Sequence, residues 1–333
     1  MRFAVLGCGS IGRRHLSNLQ TLGESDLIAY EPVSDRRAVI ASEFGVAVYD
    51  DLKEVWGADP DVALVTSPTS THLDLALEAA KQGCHLFIEK PLAHTLAGLD
   101  ELFRLVAEKG LVTLVGCNMR FHPGPERIKR WLDEGRIGRP LSARLHTGSY
   151  MPEWRPGVDY RTVYSASPEE GGGAIFDQIH ELDLAFWLFG PFAEVEGMVV
   201  KADWLGLEVE GIAEVLGRHR SGMLSSIHLN FVQRDYHRSI RVIGESGSLH
   251  WDFNVPVVRV YDAEAQAWEE VETADRWEIN DMYMAEMAHF LDCLARLQPT
   301  CCPAEQGGRV LEVALAVKRA ARERQAVSIG GRE

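Results

Sequence analysis

The sequence predicts an α/β chain in two parts, an N-terminal domain built on a parallel sheet and a C-terminal α+β domain of antiparallel hairpins and helices. From residue 2 to about 120, short apolar runs alternate with segments that carry apolar residues at helical spacing. A turn of the form Gly7-x-Gly9-x-x-Gly12 follows the first of those runs directly. Beyond residue 190 the apolar pattern moves toward a period of two, with "RSG" and "GESGS" as turn signals.

In order, "RFAVLG", "LIAYE", "VAVYD", "VALVTSP", "HLFIEK" and "LVTLVG" read as six strands, joined by helical connections. The connection "THLDLALEAAKQG" shows the logic. Leu73, Leu77 and Ala80 share one side, a threonine precedes the helix and a glycine follows it. "NMRFHPG", with His122-Pro123-Gly124, interrupts the alternation and divides the chain into domains 1–120 and 121–333. "AEVEGMVVKADW", "GIAEVLGRHR", "GMLSSIHLNFVQRD", "HRSIRVIGESGSLHWDF" and "VVRVYD" then read as strands of antiparallel hairpins. "INDMYMAEMAHFLDCLARL" and "PAEQGGRVLEVALAVKRAARERQ" read as two closing helices, for which the first domain offers a packing surface.

Bulk properties exclude several classes of function. At 333 residues the chain exceeds one ordinary core, and 46% hydrophobic with 25% charged residues is ordinary globular usage. A formal charge of -15 repels a phosphate backbone and no basic run offsets it, so nucleic acid is not an expected partner. No stretch approaches the roughly 20 apolar residues of a membrane span, and "MRFAVLG" is too short for a signal peptide core; a cytoplasmic protein is expected. The cysteines at 8, 84, 117, 293, 301 and 302 have the spacing of neither a disulfide framework nor a zinc knuckle.

The glycine turn is where the chemistry begins. Gly7 makes a tight turn, Gly9 admits a pyrophosphate against the backbone, and Gly12 lets helix and strand pack. The backbone of Ser10, Ile11 and Gly12 then presents helix N-terminal N–H groups to the phosphates. Glu31 ends the second strand roughly 20 residues on, where a carboxylate accepts the hydroxyls of an adenosine ribose and repels a 2'-phosphate. NAD is therefore expected ahead of NADP, although Arg36 and Arg37 lie close in sequence.

Two further segments carry reactive groups. "FIEKPLA" puts Glu89, Lys90 and Pro91 at the carboxyl end of the fifth strand, the edge at which open parallel sheets bind ligands. "EEGGGAIFDQIHELD" sets three glycines before Asp177, His180 and Glu181, which share a face if the segment is helical. One local histidine without a partner motif argues against a metal there, and no metal is expected.

With these segments the sequence resembles the Gfo/Idh/MocA family of glucose-fructose oxidoreductase and inositol dehydrogenase. The resemblance rests on the glycine turn, "TSPTSTH" at 66–72, "EKP" at 89–91, "GRIGRPLSARL" at 135–145, "GGGAIFDQIHELDLAFWLFG" at 171–190 and "YMAEMAHFLDCL" at 283–294. It implies a Rossmann domain and a C-terminal domain with an open, mainly antiparallel sheet. It implies hydride exchange between a nicotinamide and a carbinol of a sugar, sugar acid, nucleotide sugar or cyclitol. Lys90 would stabilise the developing alkoxide, His180 would take the proton and Asp177 would orient one of them. Thr66, Ser67, Pro68 and His72 would line the nicotinamide side of the cofactor, with Glu89 near it. Many relatives separate the Asp and His by four positions; here they are three apart, which admits Glu181 or Asp183 as substitutes for Asp177. The resemblance also implies a homodimer or homotetramer and a cis peptide bond before Pro91.

The stretch 150–170 concentrates rigid aromatics and cations. Tyr150, Trp154 and Tyr160 could bound a sugar, while Arg155, Arg161 and Arg120 could hold a carboxylate or phosphate; the same residues could instead pack on their own domain. Two other activities fit the resemblance: an NAD-dependent glycosidase that recycles its cofactor, and a non-catalytic NAD-responsive binding protein.

Overall fold

A computed structural model describes residues 1–273 and 277–330. These divide into two compact units, 1–118 with 279–311, and 119–273 and 277–278 with 312–330.

In the first unit the six expected strands form one parallel sheet. They are β1 (Phe3–Leu6), β2 (Leu27–Tyr30), β3 (Ala47–Tyr49), β4 (Val62–Val65), β5 (His85–Ile88) and β6 (Thr113–Val115), in the order β3-β2-β1-β4-β5-β6. The order reverses beside β1, the crevice at which doubly wound sheets hold their ligands. The connections are α1 (Ser10–Thr21), α2 (Ser34–Phe44), α3 (Leu52–Gly57), α4 (His72–Gln82) and α5 (Leu99–Lys109). Every residue of β1 and β4 is buried, as expected of strands covered on both faces. The C-terminal segment 279–311 completes this unit: Met287, Phe290, Cys293 and Leu294 join Phe3, Leu16, Leu64 and Phe87 in one core. Sheet edge β6 is closed by the same segment. Val115 N–H donates to the Cys302 carbonyl at 2.8 Å, and the Thr300 hydroxyl donates to the Thr113 carbonyl at 2.7 Å.

The second unit is built on a nine-stranded sheet. Its elements are α6 (Pro123–Asp133), β7 (Pro140–Tyr150), α7 (Ala174–Asp177), α8 (His180–Phe189), β8 (Phe192–Lys201), β9 (Glu210–His219), β10 (Leu224–Asn230), β11 (Val232–Gly244), β12 (Gly247–Asp252), β13 (Val257–Asp262) and β14 (Ala267–Glu272). After α9 (Ile279–Arg296) and α10 (Ala304–Glu323), the short β15 (Val327–Ser328) adds the last edge. The order is β14-β13-β12-β11-β7-β10-β9-β8-β15, antiparallel throughout except for β7 beside β10. Helices α6, α7 and α8 cover one face. The opposite face carries the outward side of the alternation, with Met198 77% and Leu216 60% exposed.

Helix α6 begins on an unusual cap. The His122 Nδ1 accepts the Gly124 N–H at 3.0 Å, with Pro123 at the first helical position where its missing N–H costs nothing. The ring packs against Trp251, Phe253 and Trp277, with centroids 4.9, 5.2 and 4.3 Å away. Burial, with the Arg238 charge, pushes this imidazole down to about 3, so it folds neutral, the only form that can accept the cap bond. The unfolded chain takes up that proton at the ordinary value, so stability falls as pH drops from about 6.5 toward 3. Replacing His122 by Asn keeps a capping acceptor and removes the titration. Thermal or urea unfolding of His122→Asn is expected to lose stability less steeply than wild type between pH 6 and 4, by about 1.4 kcal/mol per pH unit. Parallel slopes would contradict the neutral cap.

Candidate active site

The glycine turn is packed backbone against backbone. Gly7 has φ +100°, and a Cβ there would lie 2.8 Å from the Ser67 Cα; a Cβ on Gly12 would run into the Gly7 carbonyl oxygen. The Thr66 hydroxyl donates to that same carbonyl at 2.6 Å. Helix α1 therefore starts against β1 and the 66–67 turn with Gly9 as its N-cap, no side-chain cap and no acidic residue in its first turn. This is a cradle for an anionic phosphate group, and bulkier residues would fill it.

Beneath the cradle lies Glu31, 1% exposed. Its carboxylate accepts the N–H groups of Cys8 and Val33, both at 3.0 Å, and faces Arg36 Nη1 at 3.3 Å. Arg37 donates to the Glu31 and Pro32 carbonyls and pairs with Asp50 at 2.7 Å. Both arginines are thus engaged with acceptors of the protein, and the site fits NAD. Burial and Glu31 push the Cys8 thiol up to about 12, which removes it as a nucleophile.

The 66–68 turn is tied to the E-K-P turn through His72. Its ring nitrogens lie 2.8 Å from the Ser67 and Pro91 carbonyls, and burial pushes its pKa down although both carbonyls favour the charged form. The Lys90–Pro91 bond is cis. Glu89 turns away from open space: its carboxylate is 2.7 Å from the Nε2 of His15 on α1. Burial alone would raise this carboxyl, but His15, Lys90 and His72 hold it below the ordinary carboxylate value.

In the second unit the glycine-rich segment departs from the expected single helix. The helix breaks at 178–179 between α7 and α8, so Asp177 and His180 belong to different helical pieces. The glycines have local reasons. A Cβ on Gly172 would lie 2.5 Å from the Ser165 carbonyl oxygen, and one on Gly173, at φ +104°, would strike the Glu210 carboxylate. Asp177 accepts the Ser165 hydroxyl at 2.8 Å and the Tyr164 hydroxyl at 3.1 Å, pinning the end of the 150–170 loop.

The "HELD" acids are committed elsewhere, which removes them as substitutes for Asp177. Asp183 takes both arms of the buried Arg120 guanidinium, at 2.9 and 2.5 Å, and Glu181 pairs with Arg238 at 2.7 Å. Arg120, read from the sequence as a substrate contact, thus holds α8 to its own unit. The loop residues also have internal partners. The Tyr150 hydroxyl accepts Arg234, Trp154 donates to Ser149, Tyr160 donates to the Leu205 carbonyl and Arg161 pairs with Asp159. Arg155 is exposed. His180, 8% exposed, opens α8. Sequence reading passed over His15, whose signal was a histidine one helical turn after Gly12.

A doubly wound sheet with this glycine cradle and its buried Glu31 is the architecture of a dinucleotide-binding domain. Residues 1–117 match the model described as "Oxidoreductase family, NAD-binding Rossmann fold", and residues 126–250 match the "GFO/IDH/MocA C-terminal domain". The chain belongs to the Gfo/Idh/MocA family. It is 28% identical to a myo-inositol 2-dehydrogenase of Thermotoga maritima over 99% of this chain and 98% of that one. It is 28% identical to a 1,5-anhydro-D-fructose reductase of Ensifer adhaerens over 98% of each. A levoglucosan dehydrogenase solved with NADH and levoglucosan shares the fold at TM-score 0.91 and 20% identity, covering 99% of this chain and 100% of that chain.

The buried Arg120–Asp183 pair generates a stability prediction. Asp183→Ala takes the bidentate partner from a buried guanidinium and is expected to cost about 3–5 kcal/mol in urea unfolding. Replacing both residues by apolar ones of similar volume, Arg120→Met with Asp183→Leu, is expected to recover most of that loss.

Proposed function

We propose that this oxidoreductase exchanges a hydride between NAD and a secondary hydroxyl or ketone of a cyclic polyol, sugar or sugar acid. The observation that carries the reading is the E-K-P turn at the carboxyl end of β5, linked by His72 to the turn that buttresses the glycine cradle. Relatives that act on inositol and anhydro-sugars support the substrate class. A nucleotide sugar is the further member of that class raised by the 150–170 loop.

When bound, NAD supplies the hydride acceptor. The chain's part is to hold it and to manage one proton. Backbone N–H groups of Gly9, Ser10, Ile11 and Gly12 hold the pyrophosphate, Glu31 the ribose, and Thr66, Ser67 and Pro68 border the nicotinamide, with His72 bracing them. Lys90 donates a hydrogen bond to the reacting oxygen and favours its alkoxide, and His180 takes the hydroxyl proton at a ring nitrogen. Asp177 acts through Tyr164 and Ser165 by fixing the loop that bounds the substrate. Tyr150, Trp154, Tyr160, Arg155 and Arg161 supply that boundary. The reading includes a cytoplasmic homodimer or homotetramer, supported by the apolar side chains on the uncovered face of the nine-stranded sheet. No helix of the described residues is long and apolar enough to cross a membrane.

The test is NAD reduction with myo-inositol, scyllo-inositol, levoglucosan and glucuronate. Lys90→Ala is expected to bind NADH within about threefold of wild type by fluorescence titration while kcat falls by about 10³ or more, since the electrostatic stabilisation of one charge is worth several kcal/mol. Turnover near wild type would sink the assignment. Arg155→Ala and Arg161→Ala are expected to raise KM about tenfold for glucuronate and to leave KM for myo-inositol unchanged, one charge-assisted contact being worth roughly 1.5 kcal/mol. Glycoside cleavage without net NADH would favour the glycosidase alternative.

A further inference from the structure

We infer that His15 and Glu89 form a buried couple that anchors the Lys90 turn to the cofactor helix, making both of them positioning residues for Lys90. The inference rests on Lys90 being the group that meets the reacting oxygen. The geometry is a continuous ladder. Gly12 seats α1 against the Gly7 carbonyl, and His15 lies one turn further along that helix. Its Nε2 is 2.7 Å from Glu89 Oε1, and the two side chains are 0% and 9% exposed. Glu89 Oε2 accepts the Lys90 N–H at 3.2 Å, and Glu89's own N–H donates to the Val65 carbonyl at 2.9 Å. The carboxylate has little room to move: a Cβ on Gly116 would lie 3.1 Å from Oε2. The imidazole is wedged edge-on between Phe87 and Tyr283, with centroids 4.7 and 6.3 Å away.

Packing alone gives no reason for this couple. Taking a carboxylate and an imidazole out of water costs several kcal/mol, and an apolar pair of similar volume holds two elements together as well or better. His15 adds to the cost, because its Nδ1 is buried with no hydrogen-bond partner among the described residues. What the couple supplies, and an apolar pair cannot, is a fixed negative charge beside Lys90 with a rigid tie from α1 to the backbone of that lysine. The charged and titratable groups around it are Lys90 itself, His72 from α4, Tyr283 and Glu286 from α9, and Arg14 from α1. Arg14 is turned over the Tyr283 ring at 4.3 Å.

The test reads Lys90 directly. Competitive acetic anhydride labelling, followed by peptide mass spectrometry, gives the pH midpoint of the Lys90 amine in full-length protein with and without NADH. Glu89→Gln keeps a hydrogen-bonding side chain and removes the charge, so the midpoint is expected to fall by about one pH unit, a tenfold change. The alkaline limb of kcat, measured with whichever of myo-inositol or levoglucosan the wild type oxidises, is expected to move with it, while the NADH Kd stays within about threefold. His15→Leu is expected to lower kcat further than His15→Gln, which still donates to Glu89. If Glu89→Gln does not fold, the His15 pair decides by the same comparison. A Lys90 midpoint and kcat profile unchanged in Glu89→Gln, or equal losses in His15→Gln and His15→Leu, would overturn the inference. A shifted midpoint in a protein that oxidises none of the polyols would instead remove the proposed function and leave the couple standing.

Discussion

The first unit depends on how closely two stretches of backbone approach at residues 7–12 and 66–67. Gly12 sits on the Gly7 carbonyl, Gly7 sits on the Ser67 backbone, and the Thr66 hydroxyl closes the triangle. Any side chain at these glycines would push α1 off the sheet. From that contact follow the open helix N-terminus, the place of Glu31 under the cradle and the position of His15. The fully buried β1 and β4 tolerate no shift of the turn, since each side chain of those strands is already packed.

In the second unit desolvation sets the terms. A helix as apolar as α8 can be buried nearly all round, and two carboxylates within its first turn would be prohibitive if left bare. Each is met by an arginine from a distant part of the chain, Arg120 and Arg238. A motif that looks catalytic in the sequence is thus partly structural chemistry: two of the acids of "HELD", Glu181 and Asp183, neutralise buried arginines. The glycines before it obey the same economy of space, giving room to the 164–165 backbone and the Glu210 side chain.

Much was legible without coordinates. Six short apolar runs, a glycine turn and a threonine-to-glycine helix identified the parallel sheet, because period and turn chemistry are local properties of the chain. The break at 178–179 was not legible, since "AIFDQIHELD" keeps helical spacing across it, and the hydroxyls that hold Asp177 at the end of α7 come from Tyr164 and Ser165, 12 to 13 residues earlier. The role of Arg120 was hidden for a similar reason: a guanidinium beside a glycine- and proline-rich segment reads as a ligand contact until its carboxylate is found 63 positions away.

By itself the sequence determined the six strands of the first sheet with their helical connections, the glycine cradle with its acidic partner, and the family whose motifs it carries. Those are set by short-range spacing and by residue types with one dominant chemistry, whereas β7, β14 and β15 of the second sheet were not read from the sequence. Only the tertiary structure decided which charges are spent inside the protein. Asp183, Glu181 and Glu89 are satisfied by partners remote in sequence, and a charge leaves water only where the fold brings it a counter-charge or a dipole.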